Sequence, residues 1–245
     1  MKNNLLILIL VCIGNISLAS NSLFEQANTL YQQEKYEQAI TFYDSIQQNG
    51  LQSEALFYNM GNAYYKLQSW PESILYFEKT LKTNANHEDA LYNLQLANLK
   101  IVDKMEAIPL LFFQKWTNAI IAFFPMDYWA VFCLLLLWLF LLLFILKKLT
   151  HLQLPKHLLP ILIGCSALAF VCTNRQYNQK KVQKTAIIFT SSVVIKSAPS
   201  YNANDLFSLH AGSKISITDQ IGEWIHIRLI NGNKGWMLKE NCREI

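Results

Sequence analysis

The order of apolar and polar positions changes character along this chain, and each change predicts a different kind of element. Residues 20–106 carry an echo at 34 residues: Glu54, Tyr58, Asn59 and Ala63 return as Glu88, Tyr92, Asn93 and Ala97, and Ala39 and Ile40 stand one period before Ser73 and Ile74. A fixed period of that length marks stacked helix–turn–helix units, each burying its apolar face only against its neighbours. Residues 128–146 and 158–173 are instead apolar all round. From residue 186 the chain breaks into short apolar or alternating runs, 186–189, 193–196, 214–218, 224–229 and 235–237. Ser197-Ala198-Pro199-Ser200, Ala211-Gly212 and Asn231-Gly232 separate them. Those runs predict strands, Asn231-Gly232 predicts a two-residue hairpin, and five or so strands in about sixty residues suggest a small closed barrel.

Residues 1–19 read as a signal peptide, with Lys2 at the start, an apolar core over residues 5–13 and Ser17-Leu18-Ala19 as a small-x-small cleavage site. Residues 128–146 hold nine leucines and no charge in nineteen positions. As a helix this run is about 28 Å long, the thickness of the hydrocarbon layer, and its insertion is favourable by roughly 4–6 kcal/mol. Tyr128 and Trp129 suit one interface, Lys147 and Lys148 the other, so residues 127–146 are assigned to a transmembrane helix. Residues 158–173 reach only about 24 Å; this second segment either thins the bilayer and spans it or re-enters on one side. With two spans, residues 147–157 form a cytoplasmic turn, 174–185 a linker, and both soluble modules face the periplasm beside the bacterial inner membrane. Lys147, Lys148 and Lys156 agree with that orientation, whereas Arg175, Lys180, Lys181 and Lys184 run against it. Between array and span, residues 107–125 interleave Phe112, Phe113, Trp116 and Ile120 with Gln114, Lys115, Thr117 and Asn118. That is the pattern of an amphipathic helix lying in the lipid interface, or of one packed against the repeats.

Charge sharpens these divisions. Residues 20–106 carry eleven Asp/Glu against six Lys, and residues 147–184 carry seven Lys/Arg and no acid. The overall +4 is therefore membrane-flanking charge added to an acidic soluble module. No basic stripe with interleaved aromatics favours nucleic acid as a partner. Cys12 lies in the leader, Cys133, Cys165 and Cys172 lie in apolar runs, and Cys242 is left without an internal partner, so no disulfide framework emerges. Five scattered histidines supply no metal-ligand spacing, and no Gly-rich phosphate loop or nucleophile elbow occurs. No catalytic residue, metal site or cofactor is assigned, which disfavours an enzyme.

Phe57-x-x-Met60-Gly61-x-x-Tyr64 followed by Ser73-x-x-x-Phe77 resembles the tetratricopeptide pattern, with a looser copy before it at Leu23, Ala27, Leu30, Ala39 and Tyr43. A third unit offers only its first helix, so residues 88–102 are expected to cap the array. The resemblance implies that first helices line a concave groove. On this sequence that face holds Phe24, Asn28, Tyr31, Tyr58, Asn62, Tyr65, Lys66 and Tyr92, where amides can pair with a peptide backbone and rings can pack on it; the same tyrosines could instead fill space between helices. Phe24 and Tyr92 stand where carboxylate-capturing relatives place lysines, so that specificity is not expected.

The run Val193-Val194-Ile195-Lys196-Ser197-Ala198-Pro199, the turn at Ala211-Gly212, and Glu223-Trp224, Asn231-Gly232 and Gly235-Trp236 resemble a bacterial SH3-like domain over residues 186–245. Trp224 and Trp236 are its candidate ligand face, core packing being the alternative, and His226 is expected on the outer surface. The expected fold class is thus a multidomain membrane protein: an all-α tetratricopeptide array, a two-helix transmembrane hairpin and a small all-β SH3-like barrel. Leader, array, hairpin and barrel in this order resemble the BatE-type proteins of bacterial aerotolerance operons. That resemblance implies membrane partners with von Willebrand A domains and a MoxR-type ATPase. Two functions follow as expectations: a membrane-anchored adaptor holding a partner segment in the groove, or a cell-wall sensor binding peptidoglycan through the barrel.

Overall fold

The computed structural model describes residues 22–105, 109, 111–150, 154–182 and 184–245; the expected leader, residues 1–19, lies outside them. The chain forms two compact units, Met1–Ala107 with Lys184–Ile245, and Ile108–Gln183.

The first unit begins with five helices: α1 (residues 22–32), α2 (Tyr36–Gln48), α3 (Glu54–Lys66), α4 (Trp70–Thr83) and α5 (Glu88–Asn98). Local chemistry fixes their ends. Ser53 Oγ accepts the Leu56 N–H at 3.1 Å, and His87 Nδ1 accepts the Ala90 N–H at 3.3 Å, so both first helices carry side-chain caps. The 34-residue period extends to the backbone. Glu34 (φ 61°) and Gln68 (φ 59°) are both left-handed, an uncommon state for residues with a Cβ. The N–H groups of Glu34 and Lys35 reach the carbonyls of Tyr31 and Leu30, as those of Gln68 and Ser69 reach Tyr65 and Tyr64. These bonds satisfy helix-end carbonyls and turn the chain back on itself at the same place in each unit.

Helices α3 and α4 cross where Gly61 meets Phe77. A Cβ on Gly61 would lie 2.6 Å from the Phe77 ring, and Ser73 Oγ donates to the Gly61 carbonyl at 3.0 Å. Ala27, Ala39, Tyr43, Leu56, Phe57 and Met60 form one buried cluster; Ile74, Leu75, Phe77, Leu94 and Ala97 form the next.

The C-terminal segment of this unit folds into β1 (Lys184–Ile188), β2 (Ser192–Lys196), β3 (Asp205–His210), β4 (Lys214–Ile221), β5 (Trp224–Arg228), β6 (Lys234–Leu238) and β7 (Cys242–Glu244), with a 3-10 turn at Lys239–Asn241. All pairings are antiparallel, in the order β3-β2-β6-β5-β4-β1-β7. The sheet is open, with β3 and β7 as its edges, rather than the closed barrel expected. Two strands beyond the expected five account for part of this: β3 opens on a charge, and β7 is three residues long, so neither gives a period-2 signal. The Asn231-Gly232 connection is also longer than expected. The Leu229 N–H bonds the Asn233 carbonyl, closing a turn over residues 230–232. Ile195, Ile215, Ile225, Ile227 and Met237 fill the apolar face of the sheet.

Residues 88–102 do not end the stack as expected, because the sheet covers the apolar end left by the missing second helix of the third unit. Ile187 is fully buried in the cluster of Ile74, Leu94 and Ala97, with Phe189, Ile101 and Ile245 packed around it. The chain leaving α5 is laced to the β3–β4 turn. Asp103 Oδ2 accepts from the His210 N–H and from Ser213 Oγ, both at 2.6 Å, and Asp103 Oδ1 lies 2.9 Å from His210 Nδ1. Lys214 pairs with Glu78 at 2.6 Å. Gly212 (φ +92°) completes the seam, since a Cβ there would collide with the Ile101 side chain.

The second unit contains α6 (Phe112–Ala122), α7 (Met126–Thr150) and α8 (Leu158–Val182). Helices α7 and α8 each contain a segment long and apolar enough to cross a membrane: Met126–Thr150 with mean hydropathy 3.0, and Leu158–Asn178 with 1.6. Both are longer than expected, and most of the supposed linker over residues 174–185 is the last turns of α8, followed directly by β1. Polar residues such as Asn174 and Gln176 ended the apolar run without ending the helix. Ser166, Ala169 and Cys172 recur at helical spacing on α8 and are buried. Ser166 Oγ donates to the Cys133 carbonyl at 3.2 Å, and Cys133 Sγ to the Ser166 carbonyl at 3.3 Å, a reciprocal pair that joins α7 to α8. At one end of this unit, Trp129 Nε1 donates to the Ile121 carbonyl at 3.1 Å. Gln176 Nε2 donates to the carbonyls of Phe124, at 2.8 Å, and Ile121. The C-terminal turn of α6 is thereby held by both apolar helices.

Candidate functional site

The residues expected on the groove face make side-chain pairs that recur at 34 residues, so part of their chemistry is spent internally. Asn28 Oδ1 accepts from Asn59 Nδ2 at 2.9 Å, and one period later Asn62 Oδ1 accepts from Asn93 Nδ2 at 2.8 Å. Asn28 Oδ1 also accepts the Tyr43 hydroxyl at 2.7 Å, and Asn93 Nδ2 reaches the Tyr58 hydroxyl at 3.4 Å. These amide pairs tie successive first helices together. The carbonyl ends of Asn28 and Asn62 are therefore occupied, and their Nδ2 groups, which make no hydrogen bond among the described residues, are the donors that remain.

The tyrosines divide similarly. Tyr31 stands edge-on to Tyr36 at 5.3 Å, and Tyr65 edge-on to Trp70 at 5.2 Å, again one period apart. Tyr58 lies between Phe77 (6.1 Å) and His87 (4.7 Å). Each of these three rings is half-buried, packing on the array while leaving one side accessible. Tyr92 is 62% exposed, and Lys66 is also exposed. Burial, with Tyr36 and Tyr58 nearby, raises the Tyr31 phenol above its ordinary range, and burial pushes Tyr43 up to about 12. These hydroxyls therefore act as neutral hydrogen-bond groups at physiological pH.

Residue spacing held the signal for the amide pairs. Asn28 and Asn62 differ by one period, as do Asn59 and Asn93, but that each pair bonds across helices emerges only once the helices are stacked. Tyr36 and Trp70 were missed for the same reason.

On the β module, Trp224 and Trp236 lie on the sheet face opposite the isoleucine core. Trp224 is only 8% exposed because Tyr201, itself 64% exposed, stands edge-on to it at 5.2 Å. Trp236 is half-buried, 4.9 Å from the His226 ring, and His226 is partly exposed with its Nδ1 2.7 Å from Thr218 Oγ1. The accessible aromatic surface there is thus Tyr201 and Trp236, with Trp224 behind.

Ser213, His210 and Asp103 stand together at the seam, but their bonding is not that of a nucleophile and its base. Ser213 Oγ donates to Asp103, not to His210, and the Asp103 carboxyl is held below its ordinary pKa, which makes it a weak base. Among the described residues, no group of three His, Cys, Asp or Glu is placed to hold a metal ion. No protein-family model matches the chain, and no curated protein matches it.

Proposed function

We propose that this protein is a non-enzymatic, membrane-anchored adaptor of the bacterial cell envelope, holding a segment of a partner protein on the face of its first helices. The observation that carries this reading is the face itself. Half-buried rings at Tyr31, Tyr58 and Tyr65, remaining amide donors at Asn28 and Asn62, and exposed Lys66 and Tyr92 recur along stacked helices. The internal amide pairs pre-organise that face, which lowers the entropy lost when a peptide docks. The tetratricopeptide and SH3-like resemblances give the same reading, and the BatE-type order of modules implies membrane proteins with von Willebrand A domains as partners.

In this reading α7 and α8 cross the inner membrane as a hairpin, with both parts of the first unit on the periplasmic side. Anchoring raises the effective concentration of array and partner, so modest groove contacts suffice. The experiment is a photo-crosslinking residue at Tyr65 in cells, with captured proteins identified by mass spectrometry, alongside Asn62→Ala/Tyr65→Ala. Membrane proteins with von Willebrand A domains are expected among the captured species, and the double variant is expected to lose them while staying folded. Capture of nothing above background refutes the adaptor reading.

The exposed Tyr201 and half-buried Trp236 favour a second reading, a peptidoglycan-binding sensor acting through the β module. Its test is co-sedimentation of the detergent-solubilised full chain with peptidoglycan, compared with Tyr201→Ala/Trp236→Ala. Equal sedimentation of the two proteins counts against it.

A further inference from the structure

The second unit carries an aromatic face and an excess of positive charge at one end of its apolar hairpin, and the adaptor reading uses neither. On α6 and its C-cap, Phe112, Trp116, Ile120 and Phe123 recur at three- and four-residue spacing and so share a face; they are 74%, 73%, 57% and 75% exposed. Ile121, on the other side of the helix, is 7% exposed, and its carbonyl receives Trp129 and Gln176. The end of α6, the start of α7 and the end of the apolar part of α8 therefore lie at one level. An exposed stripe of three aromatics and an isoleucine, continuous with two helices of membrane-crossing length, matches the surface a helix buries at the boundary between headgroups and acyl chains.

Charge says what kind of headgroup. At this end of the unit Lys115 and Arg175 stand against a single acid, Asp127 in the first turn of α7, whereas Lys147, Lys148 and Lys156 belong to the other end. Exposed Lys115 sits on α6 itself, and exposed Arg175 adjoins Gln176 on α8. A cationic rim beside an apolar face binds a surface that is apolar below and anionic above.

We infer that α6 is an anionic-lipid-binding element, its aromatic face in the acyl boundary and Lys115 and Arg175 against phosphate-bearing anionic headgroups. This rests on the reading of α7 and α8 as a membrane hairpin. It goes beyond that reading in assigning a lipid class. Each basic side chain beside an anionic surface strengthens attachment about fivefold, so the two together are expected to contribute about 25-fold.

The test places the full chain in nanodiscs of phosphatidylcholine alone or of phosphatidylcholine with one-quarter phosphatidylglycerol. Amide hydrogen exchange is followed over α6. Exchange is expected to be about tenfold slower or more in the anionic discs, with the difference abolished by 0.5 M salt and by Lys115→Gln/Arg175→Gln. Both side chains are exposed, and unchanged exchange in the first unit verifies that the variant is folded. Equal protection in the two discs leaves the interfacial helix standing and overturns the lipid-class assignment. No protection of α6 in either disc overturns both.

Discussion

Replacing Asp103 with Ala tests whether the sheet is an integral part of the helical array or a module merely attached to it. The carboxylate accepts from the His210 N–H and the Ser213 hydroxyl at 2.6 Å and faces His210 Nδ1 at 2.9 Å. Ser213 is 1% exposed, so its hydroxyl cannot turn to water once Asp103 is gone. A buried donor left unsatisfied costs about 1–3 kcal/mol, and bonds to a charged acceptor lie near the upper end of that range. The Asp103 side chain is itself 16% exposed, so water replaces some of what is lost at the His210 N–H. The expected destabilisation is therefore about 3 kcal/mol, a large part of the roughly 5–15 kcal/mol that holds a domain folded. For a unit of this size that is a fall in Tm of about 6–12 °C. Hydrogen exchange on the full chain in detergent gives the sharper readout. Because Ile187 shares its cluster with Ile74 and Leu94, exchange should accelerate in α4, α5, β1 and β4 together. Faster exchange confined to residues 99–105 and the β3–β4 turn, with α4 and β1 unchanged, would refute the claim that helices and sheet form one cooperative body.

The crossing at Gly61 should tolerate no side chain. Gly61→Ala places a Cβ 2.6 Å from a Phe77 ring that is fully buried, and a loss of about 1–3 kcal/mol is expected, readable as a lower denaturation midpoint; a neutral result would mean that α3 and α4 are not packed this closely. Acid should loosen the seam in a defined window. Burial acts to raise the Asp103 pKa, but the hydrogen bonds from Ser213 and His210 and the charge of His210 outweigh it, leaving the carboxyl below its ordinary value. A depressed folded pKa gives stability that is complete above the unfolded value near 4 and is lost as pH falls through the folded value. Urea midpoints should thus show an Asp103-dependent decline only below about pH 4, absent in Asp103→Asn. An Asp103-dependent decline already complete at pH 5 would contradict the assigned direction.

The periodic parts of this fold were legible because period is what stacking needs. The echo at 34 residues marked α3, α4 and α5, and charge-free runs marked α7 and α8. What stayed hidden depends on partners far apart in sequence. Asp103 looked like one acid among eleven in its segment, yet it meets residues more than a hundred positions away. Ile187 read as one apolar residue of a strand, whereas it fills the place of a missing repeat helix. The end of α8 was misjudged because hydropathy reports membrane preference and says nothing of where backbone hydrogen bonding stops; Asn174 and Gln176 are polar but helical. At the candidate groove, residue types were readable, but which atom of each amide was already engaged was not.

The seam also constrains how the hairpin can be threaded. Residues 22–105 and 184–245 are separated in sequence by both apolar helices, yet they share one core around Ile74, Leu94 and Ile187. If α7 crossed a bilayer and α8 only re-entered, the two segments would emerge on opposite sides and the Asp103 and Ile187 contacts could not form. The seam is compatible with two crossings or with none, not with one. The length of α8 removes the objection to two. From Leu158 to Gln176, where α6 is held, a helix rises about 27 Å, close to the hydrocarbon thickness without severe thinning. The polar bonds of Ser166 with Cys133 are satisfied between the helices, so the buried Ser166 hydroxyl is not left to face lipid. Reporter fusions at Glu106 and at Ile245 should therefore give the same compartment. Fusions reporting opposite sides would mean that the seam does not exist in the cell, and would remove the closed array end on which the groove's rigidity depends.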